Sequence, residues 1–136
     1  MPDFTRRKIP RQARSQATCS AILGACARIL EARGYAALTT NLIAERAGVG
    51  IGTLYEFFPN REAIVLALAE ERMVRLINEV ESAVEATLAF GKNAQVSAEC
   101  ALEFLLRRIV ELVAEDRALY GVLLREASFV PATTRT

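Results

Sequence analysis

Two adjacent threonines, Thr39 and Thr40, are followed along the chain by Gly50, Ile51, Gly52, Thr53 and Tyr55, and then by Arg61. Hydroxyls, small residues and a cation in such a run make hydrogen bonds and accept close approach, but they form no nucleophile–base pair. The chemistry they suit is recognition of phosphate oxygens and base edges. Thr53 fits a base or phosphate hydrogen bond, and Ile51 fits contact with thymine methyls. Gly52 lets the backbone come close at a helix cost of roughly 1 kcal/mol relative to alanine, although a bland surface glycine reads the same way. Thr39 and Thr40 open a helix whose free amides and hydroxyls hold a phosphate oxygen, and Thr39 equally serves as a plain cap. Tyr55 reads as an outward hydroxyl or as a partly buried core ring. Arg61 stands at the start of a further helix. Arg6, Arg7 and Lys8 belong to a Pro-containing basic segment that reads as a mobile arm able to follow a neighbouring groove.

The elements that must position these residues are all helical. Ile22, Cys26, Ile29 and Leu30 recur at three- and four-residue spacing within a helix predicted from about Gln12 to Arg33, which Gly34 stops. Thr39 caps a short helix through Asn41, Ile43, Ala44 and Ala47, ended by Gly48. A second short helix begins near Ile51, carries Leu54, Tyr55, Phe57 and Phe58, and closes at Pro59. The connector Gly48-Val49-Gly50 supplies a left-handed turn and an apolar residue to bury, the pattern of a helix-turn-helix. Leu54 and Phe58 are expected to complete a core with Ile22, Ile29 and Ile43. The opposite side of that helix then presents Ile51, Gly52, Thr53 and Tyr55.

Asn60 is placed to cap a fourth helix, predicted from Arg61 to about Leu88 with Ile64, Leu68, Leu76, Ile77, Val80 and Val84 along one stripe. A loop is expected over Phe90 to Asn93 around Gly91. Another helix follows from about Val96 to Ala114, with Ala98, Ala101, Leu102, Leu105, Ile109, Leu112 and Val113 mostly inward. A break near Glu115 or Asp116 precedes a last helix to about Ser128, and the tail from Pro131 to Thr136 has no evident structure. No segment sustains the alternation of a strand.

Charge is segregated behind a net of only +1. Residues 1–61 hold nine Lys or Arg against four acids, net +5, and the remainder eight against twelve, net −4. A polyanion partner for the first part explains this, as does a charged tail beside a solvated helical domain. The chain has no histidine and three cysteines, Cys19, Cys26 and Cys100, without a CxxC spacing. Reduced thiols packing as small apolar groups fit better than a disulfide framework, a redox centre or a metal site. Glu70 and Glu71 are adjacent and point to different parts of a helix surface, so they make a poor acid/base pair. An enzyme is therefore not expected, nor a cofactor. The uncharged stretch from Tyr35 to Ala44 is too polar to span a membrane, and no secretory signal follows the N-terminal arginines, which suggests a cytoplasmic protein.

The residues Gly34-Tyr35, Thr39, Ile43-Ala44, Ala47-Gly48-Val49, Gly52-Thr53-Leu54-Tyr55, Phe58 and Arg61-Glu62 together resemble the TetR family of bacterial transcriptional regulators. The likeness covers roughly residues 15 to 65. It implies an all-α fold with a three-helix DNA-binding head, a long connecting helix and a helical ligand-binding and dimerisation domain. It further implies a homodimer on a palindromic double-stranded operator, most simply a repressor released by a small-molecule inducer. Tyr55 and Arg61 take the place of a phosphate-contacting pair, Thr39 of the residue opening the second helix, and Ile51 to Thr53 of the variable base-reading segment. Gly50 stands where serine commonly caps, and Leu42 where an acidic or polar residue is common.

The domains expected are a basic arm and helix-turn-helix over 1–60 and a helical ligand-binding and dimerisation domain over 61–136. About 75 residues follow Arg61, fewer than the family's second domain needs, so the expectation is an incomplete partial bundle: a fragment, or a chain that dimerises by another surface. The competing reading is a helical small-ligand or protein-interaction module without DNA binding. Duplex affinity that falls steeply with salt separates the two.

Overall fold

The computed structural model describes residues 3–6, 12–93 and 97–125. Among them the order is α1 (Ala13–Arg33), a 3₁₀ turn (Tyr35–Ala37), α2 (Thr40–Ala47), α3 (Ile51–Phe57), α4 (Arg61–Asn93), α5 (Ala98–Glu115) and α6 (Arg117–Arg125), with no strand. Two compact units divide the chain. One holds the described residues up to Glu70 together with those from Ala118 onward, and the other is Glu71–Arg117.

The first unit contains nearly all of the buried apolar side chains. Ile22, Leu38, Ile43, Leu54, Phe58 and Ile64 are fully enclosed, with Cys26, Ile29, Leu30 and Leu68 beside them. At about 1.5–3 kcal/mol for each large apolar side chain buried, this cluster is what holds the head together. The residues expected to form the core thus do so, joined by Leu38 from the 3₁₀ turn. Leu119 of α6 is buried in the same cluster, with Val122 and Leu123 packed against it.

Local signals place the helix ends. Gly34 takes φ 78° after α1, and its amide donates to the Leu30 carbonyl. Gly48 is left-handed at φ 71°, ψ 30°, and Val49 N–H reaches back to the Ala44 carbonyl at 3.0 Å, closing a Schellman turn after α2. Asn60 Oδ1 accepts from Ala63 N–H at 2.8 Å and so caps α4.

The loop expected at Phe90 to Asn93 is instead the last turn of α4. A glycine ends a helix only when it adopts a left-handed turn, and among the described glycines only Gly34 and Gly48 have positive φ. Gly91 keeps helical backbone, an isolated cost of about 1 kcal/mol that a long helix tolerates. The next helix starts at Ala98, because Ser97 Oγ caps it through Cys100 N–H at 3.3 Å. The expected end near Ser128 and the tail from Pro131 fall outside the described residues.

In the second unit α4 and α5 run antiparallel, tied by Arg72–Asp116 (3.6 Å), Arg75–Glu115 (3.7 Å) and Arg108–Glu79 (3.0 Å). Such partly exposed pairs set register more than stability. Of the α5 positions expected inward, Leu112 is buried and Ala101, Leu105 and Ile109 are half-buried, but Ala98, Leu102 and Val113 are exposed. Ile77 on α4 is exposed as well. Two helices in this unit cover one stripe of each other, which leaves the flanking apolar positions outside that seam.

Candidate nucleic-acid interface

The first turn of α2 and the outer face of α3 meet at a hydroxyl pair. Thr40 Oγ1 and Tyr55 Oη lie 2.9 Å apart. Thr39, in extended backbone, caps α2 by accepting Leu42 N–H on Oγ1 at 3.1 Å, and it remains exposed. Tyr55 stands 39% exposed on the surface of α3. Beside it Ile51 and Gly52 are exposed and Thr53 is half-buried, while Leu54 and Phe57 hold the helix down from the other side. A Cβ built on Gly52 meets no atom within 4 Å, so packing inside the head does not require glycine here. Gly50 precedes α3 in extended backbone and gives no side-chain cap, as a residue without a hydroxyl must.

Arg61 opens α4 from a crowded position. Its Nη1 donates to the Leu38 carbonyl at 2.8 Å, its Nε to Glu62 Oε1 at 3.3 Å, and its guanidinium lies 4.4 Å from the Tyr35 ring centroid. Tyr35 Oη donates to the same Glu62 oxygen at 3.3 Å. Arg61 therefore ties the 3₁₀ turn to α4. Neither Tyr35 nor Glu62 was singled out for this from the sequence, since only the packing of the turn against α4 brings them together.

The arm expected at the N-terminus is docked where it is described. Phe4 packs against the core, the Asp3 carbonyl accepts from Asn60 Nδ2 at 2.9 Å, and Arg6 is half-buried with its guanidinium 5.5 Å from the Phe58 ring centroid. Arg6 Nη2 also donates to Cys19 Sγ. Arg6 is thus held on the head rather than extended as a free arm, because its apolar stem and planar head find an aromatic face beside α1. Arg7 and Lys8 lie outside the described residues.

What remains outward is a compact strip: Thr39 and Thr40, Ile51 and Gly52, Thr53 and Tyr55. The description of bacterial regulatory proteins of the tetR family matches residues 22–68, which span this strip and the core beneath it. The helix-turn-helix head is a TetR-family head. An uncharacterised HTH-type transcriptional regulator, YhgD of Bacillus subtilis, is 32% identical to the chain over 83 residues, covering 61% of this chain and 44% of the relative. The HTH-type transcriptional regulator EthR of Mycolicibacterium smegmatis is 32% identical over 75 residues, 55% of this chain and 35% of that protein. The chain thus matches less than half the length of either relative. The crystal structure of a TetR transcription regulatory protein from Mycobacterium vanbaalenii aligns over 85% of this chain and 63% of its own, with TM-score 0.59 and 29% identity. Among the described residues, no helix is long and apolar enough to cross a membrane.

Proposed function

We propose that this chain is a sequence-specific DNA-binding transcriptional regulator whose α3 reads the major groove. The observation that carries this is the outward strip of α2 and α3, locked at the Thr40–Tyr55 hydroxyl pair and open at Gly52. Ile51 and Thr53 read base edges at the exposed first turn, where side chains of a recognition helix reach the groove floor. Thr39, Thr40 and Tyr55 hold phosphate oxygens, and Gly50 and Gly52 admit the duplex closely. Arg61 adds charge at the start of α4 while keeping its ties to Leu38 and Glu62. Arg6, held beside Phe58, and the basic residues Arg7 and Lys8 that follow it in sequence are read as further contacts to the duplex backbone. The relatives' own description as HTH-type transcriptional regulators supports the same reading.

Within it, the chain acts in the cytoplasm as a homodimer on a palindromic operator, a repressor released by a small-molecule inducer, with 1–60 serving as the DNA-binding part and 61–136 as the effector and dimerisation part. Titration of the chain with genomic duplexes, followed by anisotropy at several salt concentrations, tests it. A selected duplex should bind well above random sequence, and affinity should fall steeply with salt. Equal, salt-independent binding to every duplex, or none, would leave a protein-interaction module as the better reading.

A further inference from the structure

Away from the α3 strip, α1 and α2 enclose a half-open groove of about 160 Å³ lined by Arg28, Ile29, Ala32, Arg33, Leu42 and Arg46. Its floor is apolar and its rim is three arginines. Arg33 lies in the last turn of α1 and Arg46 in the last turn of α2. All three side chains are exposed. None of the three makes a hydrogen bond or ion pair with a described residue, although seven ion pairs occur elsewhere among those residues. The acids of the same helices, Glu31 and Glu45, are exposed and do not line the groove. The charge here is therefore unbalanced by the head itself.

We infer that this groove docks an acidic peptide segment of a partner protein, one apolar side chain seated on Ile29, Ala32 and Leu42 and its flanking carboxylates held by Arg28, Arg33 and Arg46. Size favours an anchor side chain over a whole small molecule, since clefts that enclose such molecules measure roughly 300–1,000 Å³. The apolar floor favours a peptide over a DNA backbone, whose contacts are phosphate and sugar. Planar guanidinium groups pair with carboxylates in two-pronged fashion, and a cluster of three around one apolar seat is complementary to an acidic, apolar-centred sequence. The groove shares no residue with the strip proposed for DNA, so each site stands or falls by itself.

The test is selection from a random displayed peptide library on the full chain, with parallel selection on an R33Q/R46Q variant. Peptides taken up by the parent chain should carry Asp or Glu around an apolar residue. Measured by anisotropy, the best of them should bind the variant about tenfold more weakly, the loss of one charge-assisted contact or more. Their affinity for a Y55F variant should be unchanged. Because Arg33 and Arg46 are exposed, helical circular dichroism of the variant should match that of the parent. Selected peptides without acid enrichment, or with equal affinity for parent and variant, overturn the proposal. So does a result in which random duplex displaces the peptide and R33Q/R46Q weakens duplex and peptide by the same factor, which would assign the arginines to the DNA backbone.

Discussion

Tyr55 and Thr40 stand fifteen positions apart in sequence and 2.9 Å apart through their hydroxyls. This contact fixes the roll of α3 against the first turn of α2, so the two helices present their outward groups as one surface. Removing the Tyr55 hydroxyl with Y55F should weaken binding to all duplexes by a similar factor, about tenfold. It should lower folding stability by no more than about 1 kcal/mol, because the residue is exposed and that is the net worth of one such bond. Anisotropy titrations against several duplexes read this, and an unchanged affinity would remove Tyr55 from the phosphate contacts.

Thr53 and Ile51 should behave differently. T53A and I51A are expected to change the preference between operator variants by about 1–3 kcal/mol at the base pairs they touch. The slope of affinity against salt should stay the same, since neither residue carries charge. Competition between labelled duplexes that differ at single positions separates this from a uniform loss.

Arg61 carries a structural tie and a proposed duplex contact, which a single substitution reads together. R61A breaks its bonds to the Leu38 carbonyl and Glu62 and uncovers the Tyr35 ring, so it should lower folding stability by about 1–2 kcal/mol. Duplex affinity should also fall. A melting temperature equal to that of the parent would show that the tie to the 3₁₀ turn contributes nothing measurable.

Two residues at the ends of α2 hold the proposed strip in place. T39A removes the α2 cap and should cost about 1 kcal/mol. G48A forces a Cβ onto a backbone with φ 71° and should cost a similar amount or more, about 1 kcal/mol. Urea denaturation measures both, and a stabilised G48A would contradict the left-handed turn.

Burial in the head pushes the Cys26 thiol from its ordinary 9.0 up to about 12. In the unfolded chain the thiol ionises from about pH 9, while the folded one keeps its proton to about pH 12. The contribution of this group is therefore fully present below pH 9 and is lost on raising the pH toward 12, by about 1.4 kcal/mol per unit. Stability curves of parent and C26A should run parallel at neutral pH and converge above pH 9. In the native state a thiol reagent should modify exposed Cys100 while buried Cys19 and Cys26 stay protected.

The head was legible because its signals are local. Apolar spacing named Ile22, Ile29, Ile43, Leu54 and Phe58, and all five are buried in one cluster. Gly34, Gly48, Thr39 and Asn60 each act on backbone within a few residues, so their roles follow from residue type and position alone. Gly91 misled because a glycine's own sequence context does not say whether its backbone turns left-handed or stays helical.

The sequence by itself determined where most helices begin and end, which faces of the head helices are apolar, and which hydroxyls and glycines lie on the outward strip. Tertiary structure decided the rest. It alone put Arg61 against Leu38, Glu62 and Tyr35, turned Arg6 onto Phe58 and Cys19, and brought Arg28, Arg33 and Arg46 around one apolar groove. It also returned Leu119 of the last described helix to the core begun by α1. The physical reason is range: caps and periodicity act over one or two turns of a helix, whereas these contacts depend on how separate helices pack, and packing geometry is a property of facing surfaces that no single segment encodes.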